Sequence, residues 1–182
     1  MVVAALVAAG CTGGAVHVFG GYTADGKPSA AAFRLDGGWR RLADLPDGRA
    51  AGTAVAVGGR VYTVGGRVAG RGNLDTVEAF DPASGRWSSL ARLPTPRGGL
   101  AAAAANGFVV AVGGEGSATF EEAEALDVRS GSWRSLPPMP HPRHGLGAAA
   151  IGSVLYTLAG GPQPGLHVAA TAEAIDLAPL RR

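Results

Sequence analysis

Few residues in this sequence of 182 amino acids could carry acid–base or metal chemistry. There are four histidines, and two of them, His141 and His144, flank a Pro-Arg pair in a proline-rich segment typical of a loop. A protein zinc site needs at least three ligands, and no third candidate stands nearby in the sequence. His17 lies in an alternating apolar segment, which favours a structural role in a strand. We predict neither a metal site nor a bound cofactor.

Cys11 is the only cysteine, so an intrachain disulfide is excluded. No cationic residue adjoins it to activate the thiol, and we expect a small, buried apolar side chain. The segment before it, MVVAALVAAG, is predicted to form a strand. It is also similar to the end of a bacterial lipoprotein signal, although no lysine or arginine precedes the apolar run. The two interpretations predict either a cytoplasmic protein or an exported one with a truncated signal ending at Cys11.

Carboxylates recur along the chain at a regular spacing. Because one reaction needs one site, residues that return in every unit indicate a scaffold rather than a catalytic centre. The aspartates are expected to accept hydrogen bonds from the backbone of their own turns, and the glutamates to pair with an arginine or a backbone donor. The recurring residues are Glu78, Glu124 and Glu173, with Asp36, Asp81, Asp127 and Asp176.

Glycine pairs that follow short apolar runs mark the repeating units in which the recurring carboxylates lie. The runs VHVFGG, VYTVGG, VVAVGG and LYTLAGG return every 45–48 residues, and Trp39, Trp87 and Trp133 return in step. The 30 glycines and 12 prolines indicate many turns and short strands. Agreement among several residue types at one period indicates an internal repeat. The glycine pairs are Gly20 and Gly21, Gly65 and Gly66, Gly113 and Gly114, and Gly160 and Gly161.

Each unit is predicted to form four antiparallel strands, which we letter A to D. In the second unit these are AAGTAVAV, RVYTVGG, DTVEAFD and RWSSLARL, separated by turn residues. A four-stranded sheet repeated at this period is typical of a β-propeller blade. The small residues of strand A fit the crowded axis, and the tryptophan of strand D is expected to fill the gap between neighbouring blades.

The glycine pair, the VEAFD segment and the spaced tryptophan resemble the kelch repeat, whereas no tryptophan is followed by the aspartate of a WD40 repeat. The resemblance implies one all-β propeller domain over residues 1–182, with about 15 strands. Phe33 replaces the strand C glutamate in the first unit, and the last unit lacks strand D. Kelch proteins usually close with six or seven blades, so an incomplete propeller is expected, with closure alone or with a second copy as alternatives. The blades are predicted at approximately 1–45, 46–93, 94–140 and 141–182.

Antiparallel alternation places the D–A and B–C loops on one side of a propeller, here called the D–A/B–C face. This face is predicted to be basic, although the formal net charge of the chain is only +2. The recurring arginines have a structural alternative, in which they tie the D–A loop to the strand C glutamate. The irregular residues are better candidates for recognition. The D–A loops carry Arg49, Arg97, Arg143 and His144, and the B–C loops carry Lys27, Arg67, Arg71 and His167 against Asp25 and Glu115.

The resemblance implies a non-catalytic binding scaffold that holds a protein or a small acidic ligand with these loops, since arginine matches a carboxylate bidentately. The alternative is a fragment of a kelch-type enzyme, similar to a carbohydrate oxidase or a sialic acid isomerase, whose catalytic blades lie outside this chain. The oxidases need a crosslinked tyrosine and cysteine with histidine ligands, and no such set is recognisable around Tyr22, Tyr62, Tyr156 and Cys11.

The mild net charge gives no reason to expect a nucleic-acid partner. The sequence contains no run of 18 apolar residues, so no transmembrane segment is predicted. If the propeller is open, its first and last blades expose apolar faces, and self-association through these edges is predicted.

Overall fold

The computed structural model describes residues 8–180, which form four antiparallel sheets and one short hairpin. Three sheets have four strands in the order A–B–C–D, and the fourth has three. Blade 1 contains β1 (Ala8–Thr12), β2 (Ala15–Phe19), β3 (Ala32–Leu35) and β4 (Trp39–Arg41). Blade 2 contains β5 (Thr53–Val57), β6 (Arg60–Val64), β9 (Val77–Asp81) and β10 (Arg86–Ser89), with the hairpin β7 (Arg67–Val68) and β8 (Gly72–Asn73) in its B–C loop. Blade 3 contains β11 (Ala101–Ala105), β12 (Phe108–Val112), β13 (Ala123–Asp127) and β14 (Ser132–Ser135). Blade 4 contains β15 (Gly147–Ile151), β16 (Val154–Leu158) and β17 (Ala172–Asp176), followed by a 3-10 turn at Ala178–Leu180.

The predicted all-β kelch-type blades are confirmed, with 17 strands instead of about 15 because the β7–β8 hairpin adds two. Two-residue turns join strand A to strand B, and in the first three blades both turn residues have positive φ. This is the turn geometry that matches the twist of a hairpin, and the Gly-Gly and Asn-Gly sequences adopt it with little strain. None of the described helices is long and apolar enough to cross a membrane.

The hydrophobic core lies at the three junctions between consecutive blades. Alternate residues of each sheet face the preceding blade and the following blade, so both faces of an inner blade are apolar. The junctions contain Phe19, Val61 and Phe80 between blades 1 and 2, Tyr62, Val64, Val109 and Leu126 between blades 2 and 3, and Phe108, Val110, Leu155 and Ile175 between blades 3 and 4.

Strand A is the innermost strand of each blade. Neighbouring A strands contact one another in the order β1, β5, β11, β15. Small side chains suit this position, and β11 consists of alanine alone. Backbone hydrogen bonds continue from blade to blade, because Gly99 donates its N–H to the carbonyl of Ala51 and Gly145 donates to Gly99, each at 2.7 Å.

In the first three blades, the first glycine of the pair lies directly beneath the next blade. A Cβ atom added at Gly20, Gly65 or Gly113 would stand 2.5–2.6 Å from the carbonyl oxygen of the D–A loop arginine of the following blade. All three have positive φ as well. Space and backbone conformation both require glycine here.

The fourth pair does not lie where the sequence motif placed it. The register of blade 4 aligns Leu158 with Val112, so Ala159 and Gly160 take the positions of Gly113 and Gly114. Ala159 has φ +58°, close to the +62° of Gly113. The prediction of Gly160 and Gly161 was therefore wrong by one residue. A side chain fits at Ala159 because no blade follows blade 4 among residues 8–180.

Two of the three tryptophans occupy the gap between blades. The indole of Trp87 donates to the carbonyl of Ala43 in blade 1 at 3.0 Å, and Trp133 donates to Ala91 in blade 2 at 2.9 Å. Trp39 is instead 61% exposed, contrary to the prediction. Cys11, expected to be buried, is also exposed. Both residues lie in blade 1, which has no preceding blade within the described part of the chain.

Candidate recognition face

The D–A and B–C loops lie together on one face of the fan of blades. Single backbone bridges join them, pairing Ser29 with Arg49, Ala50 with Arg67, and His144 with Gly161. These bridges fix the loops against each other without extending the sheets. Of the eight candidate binding residues of this face, Arg49, Arg97, Arg143 and His144 are buried, Arg67 is half-buried, and Lys27, Arg71 and His167 are exposed.

Arg49, Arg97 and Arg143 form the buried set of arginines. Each pairs with the strand C glutamate of its own blade, in the pairs Arg49–Glu78 at 2.8 Å, Arg97–Glu124, and Arg143–Glu173 at 2.6 Å. Each arginine also donates to the backbone where strand B ends, at the carbonyls of Gly65, Gly113 and Ala159. These guanidinium groups are turned into the blades and away from solvent.

The aspartates of the C–D turns bond their own backbone in three blades. A side-chain oxygen of Asp81, Asp127 or Asp176 accepts the N–H two residues further on, at 2.8–2.9 Å. Asp36 in blade 1 pairs instead with the guanidinium of Arg34 at 2.8 Å.

Blade 4 carries a histidine beside its buried ion pair. His141 Nδ1 lies 2.6 Å from Glu173 Oε1, and the ring itself is largely exposed. Thr95 holds the equivalent place in blade 3, where it donates to Glu124 at 3.0 Å. His141 and His144 do not converge on a common ligand site, and residues 8–180 contain no cluster of three potential metal ligands. Sequence patterns do not predict the contact with Glu173, because His141 lies in the D–A loop and Glu173 in strand C, 32 positions away.

Glu115 joins the loops of three blades. Its carboxylate accepts from Arg67 of blade 2 at 2.6 Å and from the backbone N–H of Gly165 in blade 4 at 3.0 Å, with His144 Nδ1 at 3.5 Å. Burial alone would raise the pKa of Glu115, but the bonds from Arg67 and Gly165 outweigh it and hold that pKa below its usual value. Two predicted residues, Arg67 and His144, are thus brought together by a carboxylate that the sequence had identified only as a counter-charge.

The exposed candidates are paired in part. Lys27 lies 2.8 Å from Asp25, and this lysine together with Thr23 lowers the pKa of the Asp25 carboxyl. Arg71 reaches Asp47 at 3.2 Å. His167 is exposed in the B–C loop of blade 4. Asp25 and Asp47 therefore offset part of the positive charge that Lys27 and Arg71 bring to this face.

Several depressions open near these loops. One of about 380 Å³ lies on the axis and is lined mainly by glycine and alanine at the start of the four A strands, with Thr53, Leu100 and Leu146. A second, of about 180 Å³, lies between the D–A and B–C loops of blade 4. A third, of about 240 Å³, is a groove between the B–C loops of blades 1 and 2, and we call it the B–C groove. Its lining includes Tyr22, Pro28, Arg67, Val68 and Gly70.

Residues 8–180 form four blades in a kelch-type β-propeller arrangement, the fold of a repeat scaffold. The family model described as the KLHDC2/KLHL20/DRC7 Kelch-repeats domain matches residues 3–161, and the chain therefore belongs to this kelch-repeat family. The solved structure of YjhT is similar in fold, with a TM-score of 0.81 at 16% sequence identity. The similarity covers 94% of this chain and 62% of the YjhT chain, so this chain spans less than two thirds of that protein. No curated protein matches the sequence significantly.

Proposed function

We propose that this chain is a non-catalytic scaffold that binds an acidic segment of a partner protein through the D–A/B–C face. Kelch domains commonly mediate protein interactions. The observation that carries the proposal is the B–C groove, where an aromatic ring, a proline and a half-buried arginine meet. We also propose that residues 1–182 act as one domain with blade boundaries near the predicted positions.

Arg67 is the central residue of the proposed contact. Its described hydrogen bonds use Nε, to Asn73 at 3.1 Å, and Nη2, to Glu115. Nη1 is then the donor left for a carboxylate on a partner, and the network behind holds the guanidinium in one orientation. Tyr22 and Val68 supply apolar surface beside it. A short acidic side chain flanked by an apolar residue fits this combination.

Arg71 and Lys27 are proposed as auxiliary contacts at the rim. Their ion pairs with Asp47 and Asp25 are largely exposed, and such pairs contribute only ~0–1 kcal/mol. Arg71 and Lys27 can therefore leave Asp47 and Asp25 for a carboxylate on a bound protein with little loss of free energy. By contrast, Arg49, Arg97 and Arg143 are proposed to be structural, because their guanidinium groups are already held by buried glutamates.

The test uses fluorescein-labelled peptides containing Asp or Glu beside an apolar residue, and matched peptides with Asn or Gln instead. Binding of the wild-type chain is measured by fluorescence anisotropy at two salt concentrations. The double variant Arg71→Gln with Lys27→Gln is expected to weaken acidic peptides about fivefold or more, as for the loss of ~1 kcal/mol. Arg129→Gln, in the C–D turn of blade 3 on the opposite side, is the matched control. Equal binding of amide and acidic peptides, or equal loss with Arg129→Gln, would contradict the proposed face.

A further inference from the structure

Both outer faces of the fan of blades are apolar and uncovered within residues 8–180. On blade 4 the uncovered side chains include Ile151, Tyr156 and Leu158, which are 70%, 40% and 50% exposed. We call this the blade 4 face. On blade 1 they include Trp39 and Cys11, with Val16 and Leu35 half-buried between them in the sheet. We call this the blade 1 face.

The blade 4 face is the first half of an inner junction. Strand register aligns Tyr156 with Tyr62 and Leu158 with Val64, and both residues of blade 2 are buried against blade 3. The alternating exposure along β15, β16 and β17 arises because nothing covers these positions. The junction between blades 2 and 3 therefore shows which side chains can cover the blade 4 face.

The blade 1 face is the second half of such a junction. Four of its apolar residues have counterparts in blade 3 that belong to the apolar cluster around Tyr62 and Val64. The register places Val16, Val18, Leu35 and Trp39 of blade 1 at the positions of Val109, Ala111, Leu126 and Trp133. The two open faces of this chain thus complement each other as inner blades do.

Two departures from the repeat occur at the same contact. At the inner junctions a glycine of one blade lies beneath the arginine loop of the next, and a strand C glutamate holds that arginine. Blade 4 has Ala159 in place of that glycine. Blade 1 has Phe33 in place of the glutamate, and the sequence has Ala4 in place of the arginine. Because the inner glycines contact a backbone carbonyl, which every residue has, a docked blade 1 must lie further from Ala159 than an inner blade lies from its glycine.

We propose that a second copy of this chain docks head to tail, with its blade 1 face on the blade 4 face of the first copy. The contact would cover Trp39 and Val18 of one copy with Tyr156 and Leu158 of the other, and Cys11 would lie at its edge. The interface is heterologous, because two different surfaces meet. It extends to a second molecule the apolar contact that already joins the blades within one molecule.

The first experiment uses Cys11 as a reporter, since it is the only cysteine and lies on the blade 1 face. Light scattering is expected to show species heavier than 18.1 kDa as concentration rises. Over the same range, the rate of Cys11 modification by N-ethylmaleimide should fall, because the docked copy restricts access to the edge of the contact where Cys11 lies. Leu158→Glu should abolish both effects. Leu166→Glu is the matched control, because Leu166 is fully exposed in a loop outside the sheet, and it should abolish neither.

Mixing two variants tests the head-to-tail geometry. Leu158→Glu damages only the blade 4 face, and Trp39→Glu only the blade 1 face, so each alone should remain monomeric. Their equimolar mixture keeps one intact pair of faces and should form a 1:1 complex. Circular dichroism and thermal unfolding check that both variants fold. A wild-type monomer at all concentrations overturns the proposal, whether Cys11 is reactive or is protected by closure within one chain. Dimers in which Cys11 stays reactive, or variants that fail to complement each other, also overturn it.

Discussion

The guanidinium of Arg49 lies 2.8 Å from the carboxylate of Glu78, and both side chains are buried, at 2% and 4% exposure. The remaining polar atoms of the pair are also satisfied, since Arg49 donates to the carbonyl of Gly65 and Glu78 accepts from Thr63. One interaction thereby ties the D–A loop to strands B and C of blade 2. Equivalent pairs in blades 3 and 4 do the same, which makes this ion pair the recurring link between loop and sheet.

Removing one member of this pair should be more harmful than removing both. Arg49→Met leaves Glu78 buried without its partner, and such a loss typically costs about 3–5 kcal/mol. The double variant Arg49→Met with Glu78→Leu should recover much of this, because no charge is left uncompensated. Urea unfolding followed by tryptophan fluorescence measures both free energies. A double variant as unstable as the single one would contradict this account.

Exchanging glycine and alanine should change stability by different amounts at the equivalent positions of blades 3 and 4. Gly113→Ala places a Cβ atom 2.5 Å from the carbonyl oxygen of Arg143 at positive φ, and should lower the free energy of unfolding by roughly 2 kcal/mol or more. Ala159→Gly, at the matching position of blade 4, should change it by less than ~1 kcal/mol. Thermal unfolding of the two variants and the wild type gives the comparison. Similar losses in both variants would argue against the interblade contact as the cause.

The indole hydrogen bonds between blades should be measurable one at a time. Trp133→Phe removes the bond to the carbonyl of Ala91 and should cost about 1 kcal/mol, with a further loss from the smaller ring. Trp39→Phe should leave the stability of the dilute monomer within ~0.5 kcal/mol, because Trp39 is exposed. Chemical denaturation at low protein concentration tests both. An equal loss at Trp39 would mean that the exposed indole has a stabilising contact.

Acid should destabilise the junction between blades 1 and 2 through His17. Burial, followed by the charge of Arg34, lowers the pKa of the imidazole in the folded state. The folded chain therefore favours neutral His17. Its contribution to stability is complete above the unfolded pKa near 6.5 and is lost as pH falls through that value to the lower folded pKa.

The control for this effect is His17→Phe, which keeps an aromatic ring beside Phe19 and Phe80 without a titratable group. Melting temperatures of wild type and variant, measured between pH 8 and pH 5, should diverge as the pH falls, with the wild type losing more. Parallel curves would show that His17 is not the group responsible.

The blade architecture could be predicted because its determinants are local. Strands A and B of one blade are joined by two residues, such as Gly58 and Gly59, and their pairing register follows from that turn. Strands C and D are similarly close in sequence. The alternating apolar pattern then defines the two faces of each sheet. The same local matching misplaced the fourth glycine pair, because LYTLAGG also aligns when shifted by one residue.

The accessibility of the candidate site residues could not be read in this way. Arg49 and Arg71 are both loop arginines on the D–A/B–C face, yet the first is buried against Glu78 and the second is exposed beside Asp47. The role of Glu115 depends on Arg67 and Gly165, which lie 48 and 50 positions away. No periodicity or short motif encodes such a contact.

By itself, the sequence determined an all-β chain of four kelch units and the side on which each loop emerges, because turns and alternation act between neighbouring residues. Only the tertiary structure decided which arginines are buried, which carboxylate gathers the loops, and which apolar faces stay open. Those properties arise where one blade stacks on another, and the partners of each contact come from chain segments tens of residues apart.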